Sequence, residues 1–257
     1  MRLARFSHGK KVGYAVIDDD GDGLFEISAE DFFGASVAEP QQGEFFKLED
    51  LRLLAPVKPS KIVAIGLNYR AHAAEFKQDI PDEPLFFMKP STTVIGPDDE
   101  IVYPAHMSHR VDYEGELAVV IGRRAKDVSL TEAPSYILGY TAFNDVTARD
   151  LQGRDGQWTR AKGFDTFAPM GPWIETELEA GAVTIETFLN GEVRQKTSTV
   201  DMIFNVSELV SFVSSVMTLL PGDVIATGTP SGVGKMKPGD RVEVRVQGIG
   251  SLKNTVV

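Results

Sequence analysis

Cysteine is absent from the 257 residues, which excludes a disulfide framework, thiolate metal sites and a cysteine nucleophile and fits a reducing compartment. Nowhere do about 18 consecutive apolar residues occur, and the opening MRLARFSHGKK has no apolar stretch of signal-sequence length behind it. The expectation is a cytoplasmic protein without a membrane partner. Positive charge is scarce: 26 Lys and Arg against 37 Asp and Glu leave −11 at pH 7. A polyanion would meet net repulsion, so nucleic acid is not an expected partner. No GxGxxG occurs. The glycine-rich run 228–234, GTPSGVG, lacks the GK[ST] ending of a phosphate cradle, and Thr229 stands where a GxSxG elbow needs glycine.

What remains is an ordinary globular composition, 42% hydrophobic and 25% charged, without a repeat period, so the information lies in local motifs. Residues 1–59 read as a small N-terminal β-rich unit with strands over 11–17 and 24–27 and a polar stretch over 34–44. APVKPSK, with Pro56 and Pro59, marks the boundary to a main domain over 60–257, because prolines resist both helix and central-strand pairing. There, strands are expected over 61–66, 85–88, 100–103, 114–121, 140–146, 183–189, 192–197, 224–227 and 241–246. Asn190-Gly191 is a two-residue hairpin signal. A helix over 207–220 has an N-terminal cap in Asn205 to Glu208, and a shorter one covers 69–76. Many strands without regular strand-helix alternation predict an α+β, β-rich fold with a mixed core rather than a doubly wound sheet.

The run DDDGDG places Asp18, Asp20, Asp22 and Gly23 as a calcium loop would, but the twelfth place is Ala29 where a bidentate Glu is needed. A solvated acidic hairpin turn is the better reading. Glu114 and Glu116 carry more. Two apart on a strand, they face the same side with Cα atoms about 7 Å apart at ~3.3 Å rise per residue, and the sequence beside them is almost wholly apolar. A solvent-facing strand end would explain two acids equally well. Asp145 adds weight, because GYTAFNDVT is aromatic and β-branched and an acid is out of character there. Three carboxylates without cysteine suit a hard cation, Mg²⁺ or Mn²⁺. His106 and His109 read as exposed loop histidines without a role.

His72 and Glu75 lie three apart, hence on one helical face, where a carboxylate can orient an imidazole and raise its basicity. An incidental surface ion pair has the same spacing. Lys89 in FFMKP and Lys162 in RAKGFD stand beside apolar or turn residues, where an ammonium could meet an anionic substrate, although exposed lysines are commonplace.

GLNYRAHAAEF, PLFFMKPSTTVIG, DYEGELAVVIG, YTAFNDVTARDLQ, RAKGFDTFAPMGPW and PGDVIATGTPSGVG follow one another in the order of the fumarylacetoacetate hydrolase family, which the chain resembles from residue 61 to its end. The resemblance implies a mixed β-sandwich roll that binds Mg²⁺ or Mn²⁺ through Glu114, Glu116 and Asp145. It places Lys162 close to the substrate as a catalytic group. His72 and Glu75 would be catalytic on a lid segment, and Lys89, Gln152 and Thr229 would bind substrate. A homodimer acting on a small 2-oxo acid is implied. Carbon-carbon cleavage through a metal-stabilised enolate is the expected chemistry, as an acylpyruvate hydrolase or oxaloacetate decarboxylase. The alternatives are a 2-hydroxyhepta-2,4-diene-1,7-dioate isomerase or decarboxylase and a catalytically silent homologue that keeps only the metal-binding fold. The long N-terminal domain of the fumarylacetoacetate-cleaving members is absent, which argues against fumarylacetoacetate itself as substrate.

Overall fold

In the computed structural model of the protein, residues 1–18, 20–34, 43–75 and 79–257 are described; most of the polar stretch 34–44 and the expected helix end at 76 lie outside them. The centre of the fold is Gly115–Ile121, GELAVVI, buried at every position, as a strand covered on both faces must be. It pairs antiparallel with Ile137–Asn144 and with Val224–Ala226. The resulting twelve-stranded mixed sheet runs on one side through Ile62–Gly66 to Leu85–Lys89. On the other it passes through Ala168–Glu175 into Arg2–His8, Lys11–Ile17, Gly23–Ile27 and Phe45–Lys47. A five-stranded sheet is ordered Glu192–Ser198, Thr184–Leu189, Arg241–Val246, Gly250–Val256, Glu100–Ile101.

Alternation along the central strand sorts its neighbours. Ala118 and Val120 face a core shared with Leu3 and Val16 from the N-terminal strands, with Phe32 from the helix Ala29–Gly34, and with Met170 and Ile174. On the opposite face Leu117 packs with Ile185, Val244 and Leu252 of the five-stranded sheet, while Val119 and Ile121 pack with Leu209, Val210 and Val213 of the helix Val206–Val216. This is the β-rich α+β sandwich roll that the sequence leads one to expect. Among the described residues no helix is long and apolar enough to cross a membrane.

The helix Val206–Val216 starts with a complete capping box: Asn205 Oδ1 accepts the Glu208 N–H at 3.1 Å and Glu208 Oε2 accepts the Asn205 N–H at 2.7 Å. Asn190 and Gly191 both have positive φ, 53° and 83°, and turn Thr184–Leu189 back into Glu192–Ser198. At the DDDGDG run, whose Asp19 lies outside the described residues, Asp18 Oδ1 accepts the N–H groups of Gly21 and Gly23 at 2.7 and 3.2 Å.

Several expected strands stop short. Only Glu100–Ile101 of the stretch 100–103 is paired, with the last strand of the chain. The run 114–121 breaks at Glu114, because Val111–Tyr113 leaves the main sheet to join Thr147–Ala148 and Gly234–Met236 in a small three-stranded one. Ile137–Asn144 ends one residue before Asp145. Both acids therefore stand at strand ends. Arg2–His8, Ala168–Glu175 and Gly250–Val256, and the short helices Arg149–Asp155 and Thr159–Lys162, escape a reading of pattern. In APMGPWIE, Gly and two prolines speak against a strand that tertiary pairing nevertheless enforces.

The first unit does not stand apart from the main sheet: Arg2 and Leu3 pair with Glu175 and Ile174. Asp223 fixes the boundary segment, accepting the Ser60 N–H at 3.0 Å, the Ser60 hydroxyl at 2.6 Å and the Lys61 N–H at 3.2 Å. Phe32 is wholly buried in the shared core, and Phe32→Ala is expected to cost about 3–5 kcal/mol. At this chain length each kcal/mol lowers Tm by about 2–4 °C. Calorimetry should register one transition displaced as a whole. A separate early transition, with the main one unmoved, would mean that the first unit melts independently.

Candidate metal centre

The antiparallel register assembles the acids. Gly115 lies opposite Asn144 and Glu116 opposite Phe143, and just beyond, the Asp145 N–H donates to the Glu114 carbonyl at 2.8 Å. Asn144 Oδ1 accepts the Glu114 N–H at 3.0 Å. Glu114, Glu116 and Asp145, all buried, thereby bring one carboxylate oxygen each to within 4.8 Å of one another. One residue just before the central strand, one on it and one just past the end of its neighbour suffice.

Three buried carboxylates so close repel one another, and the surroundings answer with cations. Lys162 Nζ donates to Glu114 Oε2 at 2.8 Å and to Asp145 Oδ2 at 2.5 Å. Lys89 Nζ donates to Asp145 Oδ1 at 2.5 Å and to the Val146 carbonyl at 3.2 Å. Arg149 bridges Glu114 and the buried Asp112, with its Nε 2.9 Å from Asp112 Oδ2. Burial alone would raise the Glu114 carboxyl, but Lys162 and Arg149 outweigh it and hold the group well below the usual carboxylate range. Burial likewise lowers the Lys162 ammonium, and Asp145 and Glu114 more than offset it; for Lys89 burial prevails and the ammonium is pushed down.

Glu116 is the exception. It has no cationic partner among the described residues and accepts a hydrogen bond from the Gly228 N–H at 2.8 Å. Burial pushes its carboxyl well above the ordinary range, with Asp145 and Glu114 adding to the rise. Glu114 and Asp145 are each paired with cations, Asp112 is shared by Arg149 and Arg110, and among the described residues Glu116 alone of these four buried acids has no ion pair. An all-oxygen donor set with a net negative charge is what a hard divalent cation such as Mg²⁺ or Mn²⁺ requires, so the residues fit such an ion. The glycine-rich run contributes through backbone: Gly228 has φ 98°, and a Cβ there would stand 2.9 Å from Asn68 Cβ. Only glycine brings that amide to Glu116 without displacement.

Beside the carboxylates opens a cavity of about 400 Å³ lined by His72, Gln152, Lys162 and Thr229 together with Glu114, Glu116, Asp145 and Arg149. Leu85, Phe87 and Trp158 line it too, Phe87 and Trp158 meeting edge to face with ring centroids 5.2 Å apart. His72, on the helix Arg70–Glu75, has its Nδ1 3.3 Å from Glu75 Oε2. Burial pushes the imidazole below its ordinary value, against the opposing influence of Glu114 and Glu75, and so favours the neutral form. Glu75 also lies near the Gly232 N–H, at 3.3 Å, which ties the helix to the glycine-rich run.

The structure takes one expected contact, Lys89, away from the cavity. Lys89 is not exposed and does not line the cavity; it ends the Leu85–Lys89 strand behind Asp145, and its ammonium is spent on that carboxylate and on the Val146 carbonyl. Thr229 does line the cavity, but its hydroxyl donates to the Gly115 carbonyl at 3.0 Å and accepts from Gln195 Nε2 at 2.9 Å, so the hydrogen is not available to a ligand. Gln152 Oε1 accepts from Arg149 Nη1 at 2.5 Å, leaving the amide N–H donors toward the cavity. His109 is exposed and pairs with Asp150. Arg149 was missed in the sequence. Its signal was available: it sits four residues after Asp145, the distance across one turn from a strand end into a helix.

Residues 61–257 match the family described as fumarylacetoacetate (FAA) hydrolase, C-terminal, and residues 1–56 match one described as Rv2993c-like, N-terminal. A protein of Bacillus subtilis named oxaloacetate tautomerase YisK is 44% identical over 225 residues, 82% of this chain and 75% of its own. The structure of a 5-carboxymethyl-2-hydroxymuconate delta-isomerase from Mycobacterium smegmatis superposes with a TM-score of 0.90 at 47% identity, covering 100% of this chain and 98% of that one. That of a maleylpyruvate hydrolase from Sphingobium sp. SYK-6, in complex with manganese(II) and pyruvate, does so with a TM-score of 0.84 at 31% identity, covering 100% and 99%.

Loss of one anionic oxygen should abolish divalent binding. Asp145→Asn and Glu116→Gln are each expected to remove calorimetric Mn²⁺ binding; Glu116→Gln should do so without loss of Tm, since it relieves repulsion, whereas Asp145→Asn also leaves the buried Lys89 without its partner and should lower Tm. Unchanged Mn²⁺ affinity in both variants would mean that the ion is held elsewhere.

Proposed function

The chain belongs to the fumarylacetoacetate hydrolase family, and from that premise we propose that it is a divalent-metal-dependent enzyme that makes the enolate of a small 2-oxo acid. The observation that carries this reading is the meeting, in one cavity, of a carboxylate triad, the buried Lys162 ammonium and a neutral imidazole. A divalent cation held by Glu114, Glu116 and Asp145 would supply Lewis acidity at the 2-oxo group.

Proton transfer is the primary reaction. His72, kept neutral by burial and oriented by Glu75 through its Nδ1, takes the proton from the carbon next to the 2-oxo group on its other ring nitrogen. The C–H electron pair becomes the new carbon-carbon double bond, and the carbonyl pair moves onto oxygen. Lys162 places positive charge where that oxygen becomes negative. Gln152 donates an amide N–H to the substrate carboxylate. Return of the proton to oxygen completes a keto-enol tautomerisation of the oxaloacetate type; its return to a more distant carbon of a dienoate completes an isomerisation. The tautomerase and isomerase named among the relatives, at 44% and 47% identity, favour this outlet.

A second reading rests on the maleylpyruvate hydrolase neighbour. The same His72 can deprotonate water for attack on the distal carbonyl of an acylpyruvate. The carbon-carbon bond then breaks, its electron pair forms pyruvate enolate, and an acid leaves. Oxaloacetate that loses CO₂ delivers the same enolate without a base.

The outlets separate experimentally on purified enzyme with saturating Mg²⁺ or Mn²⁺, assayed with oxaloacetate, acylpyruvates and 2-hydroxy-dienedioates. His72→Ala is expected to lower tautomerisation and hydrolysis by about 10² or more, the scale of general-base removal. Oxaloacetate decarboxylation should fall less, and Mn²⁺ affinity should stay unchanged. Equal fractional losses in all three reactions would refute the proton-transfer role of His72.

A further inference from the structure

A second cavity, of about 420 Å³, lies between the strand Arg2–His8 and the segments 54–59 and 91–99. None of its lining residues lines the cavity of the carboxylate triad. Its unusual member is Arg5, in register with Leu54 on the adjoining strand. Arg5 is only 8% exposed, yet among the described residues its guanidinium makes one hydrogen bond, from Nη1 to the Ala55 carbonyl at 3.2 Å, and pairs with no carboxylate. A guanidinium carries five N–H donors. The other buried cations are all matched: Lys89 and Lys162 by Asp145, Arg149 by Asp112 and Glu114.

The guanidinium nitrogens that make no protein bond are not sealed from solvent and stand open to an acceptor that enters the cavity. Arg5 lines the cavity, and so does the exposed Lys58, which makes this wall positive in a chain of net charge −11. The one acid there, Asp99, is already engaged, with Oδ2 accepting the Gly96 N–H at 2.7 Å and Oδ1 paired to Arg52. The rest of the lining is largely apolar and includes Val57, Val94 and Ile95. The volume is that of a small-molecule pocket. We propose that this cavity binds a small organic carboxylate, whose two oxygens take the fork of the Arg5 guanidinium and whose hydrocarbon part rests on Val57, Val94 and Ile95. Planar bidentate pairing is the recognition for which arginine is suited.

Butyrate is the probe, with inorganic phosphate as the contrasting anion. Each is titrated calorimetrically into the full chain freed of divalent cations. Butyrate is expected to bind one to one and more tightly than phosphate. Arg5→Gln should weaken it at least about tenfold, the loss of a charge-assisted pair, and Arg5→Lys, which keeps the charge without the fork, should weaken it less. Lys58→Ala guards against a folding artefact, because Lys58 is exposed; it is expected to lower affinity severalfold with an unchanged melting curve. Absence of saturable butyrate binding, or binding indifferent to both Arg5→Gln and Lys58→Ala, would overturn the assignment. Phosphate bound as tightly as butyrate would overturn the organic part of it.

Discussion

Three carboxylates within 4.8 Å of one another under almost no solvent set the terms for everything around them. Water cannot screen their repulsion there, so protein groups must. Lys89 closes Asp145 from behind, Lys162 bridges Asp145 and Glu114 from the cavity side, and Arg149 joins Glu114 to Asp112. Each of these cations comes from a different element: a strand end, a four-residue helix and the first turn of another helix. The short helices Arg149–Asp155 and Thr159–Lys162, which contribute little to the core, are accounted for by the charges they deliver. Among the described residues no cation pairs with Glu116, and that unpaired carboxylate fits the cluster to a cation in a way that a closed salt-bridge network would not.

The same burial acts in opposite senses on the two kinds of group that meet in the cavity. It raises an acid that lacks a cation, Glu116, where the neighbouring carboxylates add to the rise, and lowers an imidazole, His72, against the opposing influence of Glu114 and Glu75. In each case the low dielectric favours the neutral form, which is the form the proposed chemistry asks of His72 and which a divalent cation at the proposed site would reverse at Glu116. A family whose relatives bear names of tautomerase, isomerase and hydrolase can draw all three from such an arrangement, because they differ in what the base touches and share the site of negative charge.

Much of this was legible in the sequence. Glu114, Glu116 and Asp145 were conspicuous because an acid in an apolar, β-branched run needs a reason, and His72 with Glu75 because three residues is one helical turn. Composition and strand count sufficed for the β-rich class. What could not be read was register and direction. Nothing local says that Asn144 falls opposite Gly115, which is what brings Asp145 to the glutamates. Lys89 and Lys162 look alike in the sequence, yet one is sealed behind the cluster and the other lines the cavity. Thr229 was recognised by its motif, but its hydroxyl is claimed by Gly115 and Gln195, partners 114 and 34 residues away. The strand Ala168–Glu175 hid behind its prolines, since pattern weighs local preference and the sheet weighs neighbours.

That strand also governs how the molecule meets copies of itself. A sheet ending at Ala168–Glu175 would offer a row of open backbone groups to any passing strand, the usual route to edge-to-edge aggregation. Here the row is divided. Val94 and Ile95 pair in parallel with Ala168 and Pro169, Arg2 and Leu3 pair antiparallel with Glu175 and Ile174, and Pro172 stands in the interval with no N–H to donate. The N-terminal segment thus acts as a hem on the sheet that carries the carboxylates, closing its border at residues that include none of Glu114, Glu116 and Asp145.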